Sequence, residues 1–463
     1  MTPLDAARDV FAGREAWIVG GAVRDRLLGR ATTDLDLSLR EDPEDAARAL
    51  ARKTGGAAFR LSGAFGAWRV VGRENAWHVD LVVLRDGDIA ADLAARDFTV
   101  NAMAEPLAGG ELLDPHGGRA DLEARRLRMV GPSALADDPL RTLRAVRQAI
   151  DLGLTIEPAT AAAMGREAPG LERVAAERVF GELKQVVVSP SVRAGLELMA
   201  AHGITAQVLP ELDALHGVEQ NEFHHLDVHD HTLAVLDQVV ALELDPFAAG
   251  FGEHAAAVGD LLREPLADEV TRGQAMRFAA LLHDAAKPWT RSMRPDGRVA
   301  GFPGHDREGA ELARGVLRRL RASVKLADHV AALCLHHLRL GFLVHERPLG
   351  RRAVWRYLQA TQPWTPEVTV FTVADRLATR GRNADAAIAA HVELARELLG
   401  PALAYRAEGP RAPLVRGDEL ARELGIPAGP RLGEVLAQIE EDRYAGEVNT
   451  RAEAIARARA LIG

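Results

Sequence analysis

A single cysteine, Cys334, in 463 residues excludes intrachain disulfides and cysteine-rich zinc sites, and fits a cytoplasmic chain. Cys334 lies in an apolar helical stretch and reads as core, not as a nucleophile. No apolar run approaches the roughly 18 residues that span a bilayer, so no membrane partner is expected. The first dozen residues carry acids and no cationic start before an apolar block, which is not a signal-peptide pattern. Aromatics are sparse. A basic excess is lacking too: the formal net charge is −9, mildly unfavourable for nucleic acid. Local faces matter more than the sum, and two basic clusters exist, Arg125, Arg126 and Arg128, then Arg141, Arg144 and Arg147. Solvated helix faces would explain each cluster equally well.

What is plentiful is alanine and arginine, which favours helix over long stretches. The length implies two to four domains. The first third alternates strands and helices: a buried strand and glycine turn over 16–21, a short helix over 22–28, an alternating strand over 33–39, a helix over 43–53, and strands over 67–72 and 77–84. A small mixed sheet carrying helices is expected. Beyond about residue 136 amphipathic helices dominate, with breaks at Pro210, near Pro246, at Pro295–Gly297, Pro363–Pro366 and Gly409–Pro413.

In the strand TDLDLSL, Asp34 and Asp36 share one face and Leu35, Leu37 and Leu39 the other. Two carboxylates on a rigid strand repel unless a cation sits between them, and magnesium takes one or two protein carboxylates and completes its shell with phosphate and water. Asp80 occurs in a later strand, HVDLVVL. If the two strands are neighbours, three acids converge, enough to hold two ions about 3.5–4 Å apart. Asp-x-Asp alone is common on solvent-facing strands; its context changes the reading. Upstream, Gly20 and Gly21 form a strand–turn–helix junction where backbone amides can approach a phosphate, with Arg24 able to pair with it.

GGAVRDRLLGRATTDLDL (20–37) resembles the signature of class II tRNA nucleotidyltransferases and bacterial poly(A) polymerases. Five further blocks follow in order: HVDLVVLR (78–85), ARDFTVNAM (95–103), DPHGGRADLEARRLRMVG (114–131), DDPLRTLRAVR (137–147) and ERVFGEL (177–183). The resemblance implies that Asp34, Asp36 and Asp80 are catalytic, with two Mg2+ ions on the acids of the first strand. It implies nucleotide binding by Gly20, Gly21, Arg24, Arg96, Asp97, Asn101, Asp138, Arg141 and Arg144. Asp138 and Arg141 would present the edge that selects C or A, and residues three apart on a helix share a face, which suits such a pair. One departure is Asp137, where the family usually has Glu. Another is the segment between Arg85 and Arg96, only ten residues long. Full CCA-adding relatives have a longer flexible loop there, associated with the switch from C to A. The short form resembles members that add two cytidines from CTP and leave the A to a separate enzyme. The expected partners are therefore tRNA, CTP and an A-adding enzyme, with ATP as the substrate under full CCA addition.

A second constellation lies in HLDVHDH (225–231), FAALLHDAAKP (278–288) and FTVADRLATRG (371–381). His231, His283, Asp284 and Asp375 resemble the HD phosphohydrolase superfamily. His305 and His336 or His337 would complete a second ion, with His336 as the expected ligand, and Lys287 would neutralise a scissile phosphate. The donor types suit Ni, Mn, Co or Mg. The implied fold is α+β: a nucleotidyltransferase head (1–132), a helical neck (133–212), an HD domain (213–400) and a helical tRNA-binding tail (401–463), where Leu414, Leu420, Leu424, Leu432 and Leu436 read as core. Poly(A) polymerase, a main activity in the HD domain, and a non-catalytic RNA-binding protein are the alternatives.

Overall fold

The computed structural model describes residues 2–462 apart from 32–33, 63–65, 382 and 410. Thr32 and Thr33 of the first block, and Pro410, thus lie outside the described residues. The chain forms two compact units, Met1–Val208 and Leu209–Gly463. The first is α+β and the second almost wholly helical. No helix among the described residues is long and apolar enough to cross a membrane.

The first unit is built on a six-stranded sheet: β1 (Ala16–Val19), β2 (Asp34–Leu39), β3 (Ala57–Ser62), β4 (Ala67–Val71), β5 (His78–Val83) and β6 (Ala104–Pro106), in the spatial order β3-β4-β5-β2-β1-β6. Only the β2–β5 pair is parallel. In β2, Leu35, Leu37 and Leu39 are buried, so hydrophobic burial fixes which face the alternate acids occupy. Val70, Val79 and Leu81 continue that buried face across β4 and β5. The helix α3 (Glu44–Thr54) packs on β3 and β4. Not legible beforehand were the edge strands β3 and β6 and the first helix Pro3–Val10, which Thr2 and Asp5 close with a reciprocal cap.

Beyond the sheet, the helices Leu140–Leu152 and Ala176–Val188 pack together. Arg144 crosses between elements, donating to Asp97 Oδ2 at 3.0 Å and Glu182 Oε1 at 2.8 Å. In the second unit the boundary drawn at residue 400 falls inside one continuous helix, Ala384–Glu408, with Pro401 in its interior. Its alanine- and leucine-rich sequence sustains the helix through that proline. The last three helices share a core of Val415, Leu420, Leu432, Val435 and Ile439, against which Leu414, Leu424 and Leu436 pack.

Candidate active sites

The first site forms on the face of the sheet opposite α3. The parallel register sets Asp36 beside Asp80 and Asp34 beside His78. Burial pushes the Asp36 carboxyl up; Arg96 works against that shift, while Asp80 and Asp34 add to it. Negative charge is therefore crowded here, the condition a divalent cation relieves. The register brings the three expected acids together on one face, but they are not equivalent. Arg69 on β4 stands in register with Asp80 and grips both its oxygens at 2.6 Å. A carboxylate held bidentately by a guanidinium is already neutralised. Asp34 and Asp36, beside it on the same face, are the candidate metal-binding pair. Asp34 Oδ1 also lies 3.1 Å from His78 Nδ1. Arg69 was missed because its partner lies on another strand, although an arginine inside an otherwise apolar strand was the available signal.

Gly20 leads from β1 into the two-turn helix α2 (Gly21–Leu27) with φ +67°. A Cβ there would stand 2.7 Å from Arg96 Nη1 and 3.2 Å from Asp36 Oδ2. Gly20 thus lets the chain turn tightly between the acids and Arg96. Gly20→Ala is expected to cost about 1–3 kcal/mol of stability from the positive-φ backbone alone. It should also lower nucleotide incorporation about tenfold or more by displacing Arg96, since an ångström of misplacement costs up to a hundredfold. Initial rates and a thermal melt on the same preparation check both effects.

Arg96 donates to Asp92 at 3.0 Å, and its Nε is buried without a hydrogen-bond partner. Other expected nucleotide contacts are engaged within the protein. Arg24 forks onto Asp25 and donates to Asn101 Oδ1 at 2.7 Å. Asn101 is buried and donates to Asp97 at 2.9 Å and Gln148 at 3.0 Å. Asp97, buried, is held below the usual carboxylate range: burial opposes the shift, but Arg144, Asn101 and the Phe98 amide outweigh it. Asn101, Asp97 and Arg144 therefore form a scaffold beneath the acids, and Arg144 is a strut and not a free cation.

The expected helix-face pair of Asp138 and Arg141 is not formed. Asp138 precedes Pro139, which disfavours helical backbone, and stands extended at φ −146°, ψ 99° before the helix Leu140–Leu152 begins. It accepts from Arg178 at 2.7 Å and from the Leu140 amide at 3.2 Å. Asp137, the departure from the family pattern, accepts from the Ser133 hydroxyl at 3.1 Å. Arg141 is locked by three carbonyls: Nη1 donates to Arg96 and Ala134 at 3.0 Å each, Nη2 to Ala95 at 2.7 Å. Ala95 and Arg96 end the ten-residue connection noted in the sequence. That connection is ordered: its helix α4 (Ile89–Ala94) is capped by Asp88 and anchored by buried Leu93.

The second site lies within the second unit, where helix ends converge. His231 stands in the first turn of Val228–Leu244, His283 just after Arg272–Leu282, His305 at the start of His305–Arg319, and Asp375 in Thr365–Ala378. Asp284 sits at the centre. His231, His283 and Asp284 make one candidate metal group, and Asp284, His305 and His337 a second. His283 Nε2 is 3.2 Å from Asp284 Oδ2, His305 Nε2 3.4 Å from Oδ1, and His231 Nε2 3.1 Å from Asp375 Oδ1. The choice of His336 is overturned. His337 is buried against His305 with their Nε2 atoms 3.2 Å apart, whereas His336 lies near Arg339. The signal was in the sequence: Leu326, Val330, Leu333, Cys334 and His337 recur at helical spacing, and all are buried. Cys334 is fully buried, as expected of core.

These residues fit metal ions. His283 Nε2 and both Asp284 oxygens are buried without a hydrogen bond. The Nδ1 atoms of His283, His305 and His337 face the carbonyls of Ala280, Phe302 and Cys334 at 2.9, 2.6 and 2.5 Å, which puts the proton on Nδ1 and leaves Nε2 as ligand. Burial, with His283 and His305 alongside, pushes the His337 imidazole down to about 4, keeping it neutral. Burial would raise the Asp284 carboxyl, but His283 and Lys287 hold it well below the usual range. Lys287 Nζ lies 2.6 Å from Asp284 and donates to Gln220 at 2.7 Å, so its charge is spent inside the cluster and not poised for a phosphate.

Residues 16–128 match the family model for the poly(A) polymerase head domain, 153–215 that for the probable RNA and SrmB-binding site of polymerase A, and 251–380 that for the HD domain. An A-adding tRNA nucleotidyltransferase of Deinococcus radiodurans is 38% identical over 95% of this chain and 94% of its own length. A CC-adding tRNA nucleotidyltransferase of Thermus thermophilus is 35% identical over 96% and 93%. The structure of a CCA-adding enzyme with ATP shares the fold with a TM-score of 0.62 at 20% identity, covering 99% of this chain and 95% of that one.

Proposed function

The chain belongs to the tRNA nucleotidyltransferases, enzymes that transfer nucleotides to the 3′ end of tRNA, and we propose that this member adds cytidine from CTP and stops after two residues. The observation that carries the reading is the clamp on Arg141. Of its five N–H donors, three go to carbonyls, two of them at the end of the β5–Arg96 connection. Nε–H and one Nη2–H remain, donors on two nitrogens of one guanidinium. Such a fork matches two adjacent acceptors, N3 and O2 of cytosine. Adenine sets a single acceptor, N1, next to an amino group. Asp138 would accept from the cytosine amino group. A short, anchored connection that holds this fork leaves no lever to re-aim it for adenine.

Asp34 and Asp36 would hold magnesium, whose chemistry is to acidify the primer hydroxyl and screen the triphosphate. Around them Gly20 permits the close approach, Arg96 offers an unpaired N–H, and Arg69 keeps Asp80 from spreading the negative charge. A separate enzyme would then add the final A. The Deinococcus relative favours the alternative, A addition, and one assay separates the two. With CTP, tRNA lacking its tail should be extended by two residues, and ATP should add nothing to tRNA ending in CC. Incorporation of A onto the CC end would overturn cytidine specificity.

A second activity in the second unit has its own support in the paired metal groups sharing Asp284. We infer phosphate-ester hydrolysis at RNA ends there, with His231, His283, His305, His337, Asp284 and Asp375 holding divalent metal, and the four proposed segments acting as head, neck, HD domain and tRNA-binding tail.

A further inference from the structure

A row of residues crosses the open face of the sheet in one register: Phe59 on β3 opposite Arg69 on β4, Arg69 opposite Asp80 on β5, and Asp80 opposite Asp36 on β2. The other face of these outer strands is covered, with Arg48 of α3 lying over the Trp68 ring at 5.7 Å. The face that carries the acids is open at its edge, and Phe59 is 46% exposed there. A large exposed aromatic on an edge strand has no role in the core. Strands repeat every 4.7–4.9 Å, so Phe59 is rooted about 10 Å from Asp80 and about 14 Å from Asp36. That separation leaves room for a short stretch of single-stranded RNA between the ring and the acids. Between ring and acids, Arg69 spends two of its N–H donors on Asp80 and keeps three. Ring, guanidinium and carboxylates thus stand in the order base, phosphate, terminal hydroxyl.

We propose that Phe59 is a stacking platform for a base in the last two nucleotides of the RNA primer, holding the terminal 3′-hydroxyl over Asp34 and Asp36. The ring reads no sequence, since every base has a face to stack, which suits a site that must accept the end of any tRNA before and after each addition. Arg69 would donate to the phosphate between that base and the terminal hydroxyl. The occupant is RNA and not a protein strand, because the patch is continuous with the acids at which the primer must arrive. This inference rests on nucleotide transfer at Asp34 and Asp36, and is independent of whether C or A is added.

The test uses the full-length chain with Phe59→Ala, Phe59→Leu and Phe59→Trp. Stacking on one aromatic contributes enough that the Ala and Leu forms should raise KM for tRNA roughly five- to a hundredfold, leaving KM for the nucleotide and the melting temperature unchanged, while Trp restores the tRNA KM. A tRNA with 2-aminopurine as its terminal or next-to-last base should be quenched on binding to the wild-type and Trp forms and not to the Leu form. Full activity of Phe59→Leu, or equal quenching in all forms, overturns the proposal. So does a molecular mass that halves in the variants, which would mean that β3 pairs with a second copy of the chain. Wild-type protein that incorporates no nucleotide would sink the function above and not the platform, because the quenching measurement needs no incorporation.

Discussion

Asp36→Asn is expected to abolish nucleotide incorporation, by roughly a thousandfold or more, and to leave the protein at least as stable as before in the presence of a chelator. The first half follows from the loss of a carboxylate from the metal-binding pair, since metal stabilisation of transferring charge amounts to several kcal/mol and each 1.36 kcal/mol is tenfold in rate. The second half follows from the sign of the carboxyl shift. Burial and the neighbouring Asp80 and Asp34 raise it, with Arg96 only partly opposing them. An acid whose folded-state value is raised is destabilising when ionised, so removing its charge relieves the fold. Activity and stability then move in opposite directions, as expected where a site stores repulsion for function. Asp34 is more exposed, so its Asn variant should lose activity with little change in stability. Radiolabelled incorporation and a chelator-treated melt check both. A variant that keeps more than a tenth of wild-type incorporation would remove Asp36 from the reaction. Phosphohydrolysis by the second unit should persist throughout.

Asp284→Asn should do the reverse. One carboxylate serves both metal groups, so its loss is expected to release every metal equivalent held by the second unit and abolish phosphohydrolysis, while incorporation continues. His337→Ala should lose the ion shared with His305, and His336→Ala should lose none. Metal content by mass spectrometry after gel filtration reads all three, and metal loss from the His336 variant would reverse the assignment. The Asn variant should also melt lower. Lys287 and His283 are buried around Asp284, and leaving a buried charge without its partner costs about 3–5 kcal/mol. A small drop in melting temperature with full metal loss would mean that neither the ions nor the ion pairs dominate the stability of this cluster.

Much of this was legible beforehand because it is local. Period-two alternation in Asp34–Leu39 required the leucines inside and the acids on one face, and the structure has them so. Donor types and order along the chain point to the candidate metal groups of the second unit, and helical spacing over 326–337 points to His337. The extended backbone at Asp138 was equally readable from Pro139. The six blocks that resemble the tRNA nucleotidyltransferases all lie within the first compact unit.

The rest depended on partners far apart in sequence. No local pattern pairs Arg69 with Asp80, Arg144 with Glu182, or Arg141 with the carbonyls of Ala95 and Arg96; strand register and helix packing bring them together. The amino-acid order alone therefore determined the chemistry available at each site, because residue type and local period survive without the fold. Which of those groups are free to act, and which are spent as clamps and struts, was decided only when the sheet and helices closed, because a charged side chain takes whichever partner the tertiary structure sets beside it.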